Sequence, residues 1–410
     1  MNVLYVFADN KKELNCSSHN CIRPAEALNR SGKHNAKIMH IDTFAGNSAQ
    51  VQQAGNEADI IVIERNFFGD TLPAIMFWRV RNKPMMAIFD DAYHIITKDN
   101  PAYKFWKENK IESSPDTVAI RVSNLLKATK NEDQLWANLP KEKRDEIIKQ
   151  ISTILYDNVP DKRIIGKVTI PVLKQFEFAL RLMRGIQVPS RMLAEDWSSV
   201  NDTYYIDNYI NPNHYINAKP LPLFEKNEDD IIVGWHGSLS HVASFKESGV
   251  SEALEIVAKK YNNVKIYLGG DKKNYGFINL PEEKKFYCPY VPENQYPSLL
   301  KSIDVAVAPL ATEYDKRRSW IRGIEYLALQ IPWIATNYST YEKLEDYGIL
   351  IDNGVENWVN AISDVVENID AHRERAKGVP YEFALSQSYD KNMEKTIDIY
   401  KEIIKKEYTW

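Results

Sequence analysis

Short apolar runs rich in β-branched residues, spaced by segments of helical length, constrain this chain more than any other feature. In the first part of the sequence these runs are Val3–Ala8, Ala36–Ile41, Ile60–Glu64 and Met85–Phe89. Helical stretches lie between them, including Ile22–Arg30, stopped by Gly32, and one near Leu72–Val80. A strand covered on both faces reads as a continuous hydrophobic run. Alternation of such strands with helices builds a parallel sheet with helices on each side. The expected class is α/β. Ligands in such sheets bind beyond the carboxyl ends of the strands, which here means Ala8–Ser18, Arg65–Asp70 and Asp90–His94.

The rhythm breaks at about residues 95–165, where polar helical pieces such as Thr117–Lys127 and Lys141–Tyr156 are separated by Pro115, Pro140 and Pro160. This reads as a helical insertion. A helix around Val172–Arg184, a strand Ile186–Val188, a helix Ser190–Trp197 and a strand Tyr204–Asp207 resume the pattern. Residues 216–230, rich in proline and charge, read as a linker. A second α/β unit follows, with strands Ile231–Gly234, Val264–Leu268, Lys285–Cys288, Asp304–Leu310 and Ile349–Ile351, and helices from about Val242, over Gln295–Ser302 and over Glu356–Asn368. At 410 residues two domains are the default. The expected boundaries are 1–215 and 216–380, with 381–410 holding a last helix, Lys391–Lys406, that packs back on the first domain.

Charge and cysteine content narrow the function. A net charge of −4 makes no electrostatic case for a nucleic-acid binder. No apolar run approaches the roughly 20 residues of a membrane span. The start, MNVLYVFADN, has neither a basic region nor a cleavage site, so it is expected to be a first strand rather than a signal peptide. Cys16, Cys21 and Cys288 form neither a disulfide framework nor a zinc spacing, and reduced thiols in the cytoplasm are expected. No metal site and no cofactor are expected. No GxGxxG follows the first strand, which leaves a dinucleotide site without support.

The stretch from Ile303 to Asn337, IDVAVAPLATEYDKRRSWIRGIEYLALQIPWIATN, carries the densest chemistry. A buried strand leads into a loop with Lys316, Arg317 and Arg318. Ser319 is the expected N-cap of a helix Trp320–Leu329 bearing Arg322 and Glu325, closed by Gln330 and Pro332. Cations beside free helix N–H groups make an anion pole, and Glu325 offers an acid to a hydroxyl pair. Upstream, a Gly237–Ser238 turn lets main-chain N–H groups approach a phosphate, and Lys246 is expected to reach the same place. Asp90, Asp91 and His94, in FDDAYHI, are placed to orient a sugar hydroxyl or take a proton. Together these suggest a nucleotide-sugar site.

Several of these segments resemble the GT-B glycosyltransferases, within them the retaining family-four type (glycosyl transferases group 1) of bacterial and phage-like sequences. VLYVFAD with CIRPAEALNRSG resembles the opening strand and helix on the acceptor side. IIVIERNFF and PMMAIFDDAYHII resemble the third and fourth strands. IIVGWHGSLSHVASF resembles the first strand of the nucleotide-binding domain, and KRRSWIRGIEYLALQIPWIAT its donor-binding helix. The likeness spans most of the chain outside about 95–165. It implies two Rossmann-like, doubly wound parallel-sheet domains facing a cleft, and transfer of a hexosyl or related sugar with retention of configuration and without a metal. Glu325 matches the second acid of the Glu-x7-Glu pattern that binds the ribose hydroxyls. Gly237 and Ser238 match the turn by the diphosphate, and Arg318 and Ser319 match a Lys-Ser pair. The first acid of the pattern falls on Arg317, so Glu313 or Asp315 is the expected substitute. The usual Pro-Asn-Gly turn is altered to Asp207-Asn208-Tyr209.

The nucleotide-sugar enters this reading as substrate. The acceptor stays open among glycan, lipid, protein, small molecule and modified nucleic-acid base. Two alternatives accompany the transferase. One is a nucleotide-sugar epimerase of the same architecture, which needs acids and a histidine around the sugar. The other is a nucleotide-sugar binding protein without turnover, for which the missing acid at Arg317 is the support.

Overall fold

The computed structural model describes residues 1–10, 15–112, 121, 140–142, 145–146, 169–223 and 225–408. Most of the two expected helical pieces Thr117–Lys127 and Lys141–Tyr156 lies outside the described residues. The chain divides into two compact units. The first comprises Met1–His94, Tyr103–Ile206 and Met393–Trp410, and the second comprises Ile95–Ala102 and Asp207–Asn392.

The first unit is built on strands β1 (Asn2–Phe7), β2 (Asn35–His40), β3 (Ile60–Glu64), β4 (Met85–Ile88), β7 (Gly185–Val188) and β8 (Thr203–Tyr205). A two-stranded antiparallel ribbon, β5 (Lys110–Glu112) with β6 (Thr169–Pro171), precedes β7. The six strands form one parallel sheet in the order β2-β1-β3-β4-β7-β8. Every residue of β3, β4 and β7 is buried, as strands covered on both faces require. Strand order reverses between β1 and β3, so their carboxyl ends open a crevice at a topological switch point.

The last helix, Tyr389–Lys405, gives most of its length to this unit. Ile397, Tyr400 and Ile403 are buried. The Tyr400 hydroxyl lies 3.2 Å from that of Tyr5 and donates to Gln187 Oε1 at 3.3 Å. Arg184 Nη1 donates to the carbonyl of Ile404 at 2.8 Å, satisfying one of the carbonyls that a helix end leaves open. Tyr408 then donates to the Lys83 carbonyl at 2.7 Å, with the Arg79 guanidinium 3.8 Å above its ring.

The second unit repeats the architecture with β9 (Ile231–Gly237), β10 (Val264–Gly270), β11 (Lys285–Cys288), β12 (Val305–Ala308), β13 (Trp333–Thr336) and β14 (Ile349–Ile351). The sheet is again parallel, in the order β11-β10-β9-β12-β13-β14. Period-two alternation divides its side chains between two cores. Ile231, Val233, Trp235, Val305 and Val307 join Val257 and Trp358 on one face. Ile232, Ala306 and Ala308 join Leu299, Ile324 and Leu327 on the other. The switch point lies between β9 and β12, whose following loops hold the Gly237–Ser238 and Lys316–Ser319 segments.

Several expected elements change length. The strand expected to end at Gly234 runs on to Gly237, because its pairing with β10 continues through Gly270 opposite Gly237. The helix expected from Val242 is two helices, Val242–Glu247 and Val250–Lys260. Beyond Glu367 the chain forms two further helices, Ile369–Lys377 and Val379–Ser386, before the last one. Among the described residues no helix is long and apolar enough to cross a membrane.

Gly185 leaves room for the Ile403 side chain: a Cβ built there would meet Ile403 Cδ1 at 2.6 Å. Truncation of Ile403, which is fully buried, opens a cavity that the sheet cannot close. Ile403→Ala is expected to destabilise the first unit by about 2–5 kcal/mol, measured as a lower urea midpoint of its unfolding transition.

Candidate functional site

In the second unit, the loop after β12 is organised around a buried carboxylate. Asp315 is 1% exposed. Its Oδ2 accepts from the main-chain N–H groups of Ala311 and Thr312 (both 3.0 Å), from Thr312 Oγ1 (2.9 Å) and from Ser244 Oγ (2.8 Å). Its Oδ1 accepts from Arg318 Nε at 2.8 Å. Burial alone would raise this carboxyl, but Arg318, His241 and the Ala311 N–H hold it down at about 2. Asp315 is therefore a buried anchor of the loop, with both oxygens bonded within the second unit. The other expected substitute, Glu313, is exposed and pairs with Arg317 at 3.0 Å and with Lys316.

Arg318 also donates from Nη2 to the carbonyl and hydroxyl of Ser240 at 3.0 and 3.2 Å. Ser240 Oγ lies 2.8 Å from Ser238 Oγ. One chain of hydrogen bonds thus runs from Ser238 through Ser240 and Arg318 to Asp315 and Ser244, bridging the loops on the two sides of the switch point. Gly237 is the last residue of β9 and not a turn residue. The glycine-dependent geometry lies opposite, at Gly270, which has φ +92° and whose Cβ would meet the Gly237 carbonyl oxygen at 2.3 Å.

The helix after the loop is Ile321–Ala328, with Trp320 at its N-cap position. Ser319, the expected cap, lies one residue before the observed cap position, and its hydroxyl accepts from the Ile321 N–H at 3.3 Å. Trp320 is held there because its indole donates to the Asn208 carbonyl at 2.9 Å within the altered turn, where Asp207 pairs with Lys343 at 3.0 Å. Arg322 donates to the Tyr296 hydroxyl. Burial would weaken the Arg322 charge, but Tyr296, Tyr326 and Glu325 together hold it firmly protonated. Glu325 is 3% exposed and its Oε1 accepts from the Tyr215 hydroxyl at 2.9 Å.

The structure therefore brings Ser238, Arg318 and Ser319 together at the carboxyl end of this sheet, with Gly237 closing β9 and Arg322 and Glu325 on the helix that follows. Two expected members stand apart from that network. Arg317 turns to Glu313, and Lys246 is exposed in the last turn of helix Val242–Glu247. Two residues that sequence reasoning passed over enter instead, Tyr215 and His236. The signal for His236 was available: a lone imidazole inside the otherwise apolar IIVGWHG strand.

In the first unit, the residues after β1, β3 and β4 form a second cluster. Glu64 is fully buried at the end of β3. It accepts from the Ala8 N–H (2.8 Å), from Asn20 Nδ2 (3.1 Å) and from the Ser17 hydroxyl. Burial raises its pKa. Arg65 pairs with Asp9 and with Glu64, the latter at 3.5 Å. It does so with φ +26°, a costly value for a residue bearing a Cβ, and these pairings hold it there. Asp90 is pushed up to about 7 by burial and by the charge of Asp91, against Arg65 and a hydrogen bond with Cys16. His94 faces another way: its Nε2 lies 3.0 Å from Asp196 Oδ2 and its ring edge meets Trp197. Asp90 and His94 thus work with different partners, although the sequence places them in one segment.

Residues 231–368, all within the second unit, match the family model for glycosyl transferases group 1. No curated protein matches in sequence. Among solved structures, HepE from Anabaena in complex with UDP and glucose is 14% identical, with 97% of this chain and 100% of that chain covered and a TM-score of 0.55. Sucrose-phosphate synthase from Thermosynechococcus elongatus is 11% identical over 98% of each chain, TM-score 0.55. A Listeria monocytogenes protein assigned as a UDP-N-acetylglucosamine 2-epimerase is 9% identical over 98% of this chain and 95% of that one, TM-score 0.53. The fold is GT-B.

The folded chain keeps Asp90 protonated up to a pH of about 7, whereas an unfolded aspartate ionises at about 3.9. The stability this group contributes therefore falls as pH rises between those values. Asp90→Asn is expected to raise the melting temperature at pH 8, by roughly 2–4 °C per kcal/mol recovered, and to leave it nearly unchanged at pH 4. Scanning calorimetry at the two pH values measures the difference.

Proposed function

We propose that the chain is a glycosyltransferase that moves a hexosyl or related sugar from a nucleotide-sugar donor to an acceptor hydroxyl, without a metal and with retention of configuration. The supporting observation is the Ser238–Ser240–Arg318–Asp315 network, which sits at the switch point inside the segment matched by the group 1 model. HepE, of the same fold, has been solved with UDP and glucose. Free thiols at Cys16, Cys21 and Cys288 suit a cytoplasmic enzyme.

Cleavage of a sugar–phosphate bond builds positive charge on the sugar ring and negative charge on the departing diphosphate. Groups that meet the departing charge accelerate the step only if they are in place beforehand. Arg318 meets that condition, because Asp315 and the Ser240 carbonyl fix its guanidinium. Arg322 adds a second cation and the start of helix Ile321–Ala328 adds N–H groups. Glu325 is assigned to the ribose hydroxyls, with Tyr215 orienting its carboxylate. The departing phosphate takes the acceptor proton in this scheme. In the first unit, Asp90 and Asp91 are assigned to orienting the acceptor, and Asp90 is suited to exchange a proton near neutrality, whereas His94 is turned to Asp196.

A second reading rests on the Listeria structure: epimerisation of the same class of donor. Incubation with UDP-sugar and no acceptor separates the two, since an epimerase yields an isomer and a transferase only slow hydrolysis.

Arg318→Ala is expected to lower kcat by 10²–10³-fold, roughly 3–4 kcal/mol for a desolvated, preorganised donor. An unchanged kcat in a variant that still folds removes Arg318 from the mechanism. Glu325→Gln is expected to raise the donor KM with little change in kcat, because a ribose contact is made equally in ground and transition states. Steady-state kinetics with varied donor distinguish the two patterns.

A further inference from the structure

His236 is the penultimate residue of β9 and is 6% exposed. Neither of its ring nitrogens has a hydrogen-bond partner among the described residues. Two buried polar atoms left this way cost stability, by about 1–3 kcal/mol each. The surroundings are nevertheless built to admit the ring. A Cβ at Gly269 would meet its Cδ2 at 2.5 Å, so only glycine at that position of β10 leaves room. Tyr296, the partner of Arg322, lies edge-on at 5.2 Å between ring centroids, and the exposed Tyr290 lies on its own contact at 6.0 Å. Burial and the Arg322 charge lower the imidazole to about 3. It therefore carries one N–H and one lone pair near neutral pH.

We propose that His236 is a donor-contacting residue, giving its ring N–H to a phosphate oxygen of the nucleoside diphosphate that Arg322 and Arg318 attract. A phosphate is favoured over a neutral group because the ring stands beside a guanidinium at the carboxyl end of a parallel strand, where an anion is stabilised and a cation is not. This deepens the donor assignment made above and rests on it. The arrangement trades stability for binding: the free protein bears the cost of the unmet N–H, and the bound protein recovers that part of it.

The test uses the full chain, with UDP and uridine as probes in calorimetric titration and with GDP and ADP as alternative bases. His236→Phe keeps a ring in the same space without polar atoms, and His236→Gln restores an N–H. UDP affinity is expected to fall about tenfold in His236→Phe and to recover in large part in His236→Gln. Uridine, which lacks phosphate, is expected to bind the wild type and both variants alike. The ligand-free melting temperature of His236→Phe is expected to equal or exceed that of the wild type. A His236→Phe protein that binds UDP as the wild type does, while Arg318→Ala has lost it, overturns the role of His236 and leaves the donor site standing. A His236→Phe protein that melts well below the wild type, without rescue of UDP binding by glutamine, shows a packing role and also overturns it. A wild type that binds none of the three diphosphates removes the donor site and His236 with it.

Discussion

A buried carboxylate ties the loops together at the carboxyl end of each sheet, and the candidate chemistry of each unit depends on it. Parallel strands end with main-chain N–H groups that the sheet no longer pairs, and buried N–H groups need acceptors. Glu64 meets this need after β1 by taking the Ala8 N–H, and Asp315 meets it after β12 by taking those of Ala311 and Thr312. Each carboxylate also fixes a cation: Arg65 beside Glu64, and Arg318 on Asp315. A buried ion pair is weak evidence for stability on its own, because desolvation offsets most of the attraction. Here the multiple N–H and hydroxyl donors make the buried charge tolerable, and the cation gains a fixed position.

The strands were largely legible in the sequence. Lys285–Cys288 and Ile349–Ile351 stand where their apolar runs put them, and Ile60–Glu64 also matches its run. The runs are legible because both faces of each sheet are buried, so that a continuous apolar stretch and a strand are nearly the same signal. The ends were less legible. β9 runs three residues past Gly234 because pairing with β10 decides its length, and pairing is a property of two segments at once. Helices Ile369–Lys377 and Val379–Ser386 are hard to read for a different reason. Polar side chains dominate the first, and Pro380 near the start of the second reads as a break although it is tolerated in a first helical turn.

The candidate site was legible as composition and not as connectivity. The sequence puts Lys316, Arg317 and Arg318 side by side, and nothing in the letters says which cation an acid will claim. Three residues' separation lets Asp315 take Arg318, and four lets Glu313 take Arg317, so neighbouring arginines end with opposite fates. Arg318 is tied to a buried acid and to Ser240, and Arg317 to an exposed one. The same limit applies to FDDAYHI, in which Asp90 and His94 are four residues apart yet face Cys16 and Asp196 respectively. Side-chain direction at a strand end follows the loops around it, and those loops come from distant parts of the chain.

Satisfied and unsatisfied polar groups divide the second unit by role. Asp315 has both oxygens occupied, and the Ser238–Ser240–Arg318 chain extends from it without a gap. That half of the edge is a finished structure whose geometry does not depend on a ligand. His236, on the neighbouring strand residue before Gly237, is buried and has neither nitrogen met among the described residues. Preorganised catalysis requires the first condition, because donors that must move to meet a developing charge lose much of their effect. Selective binding uses the second, because a buried group completed only by the right ligand penalises every other occupant. A fold shared with a sucrose-phosphate synthase and an assigned 2-epimerase cannot supply that discrimination by itself. It has to come from the side chains around the sugar and acceptor, since His236, proposed to meet a phosphate, serves donor binding in either reaction.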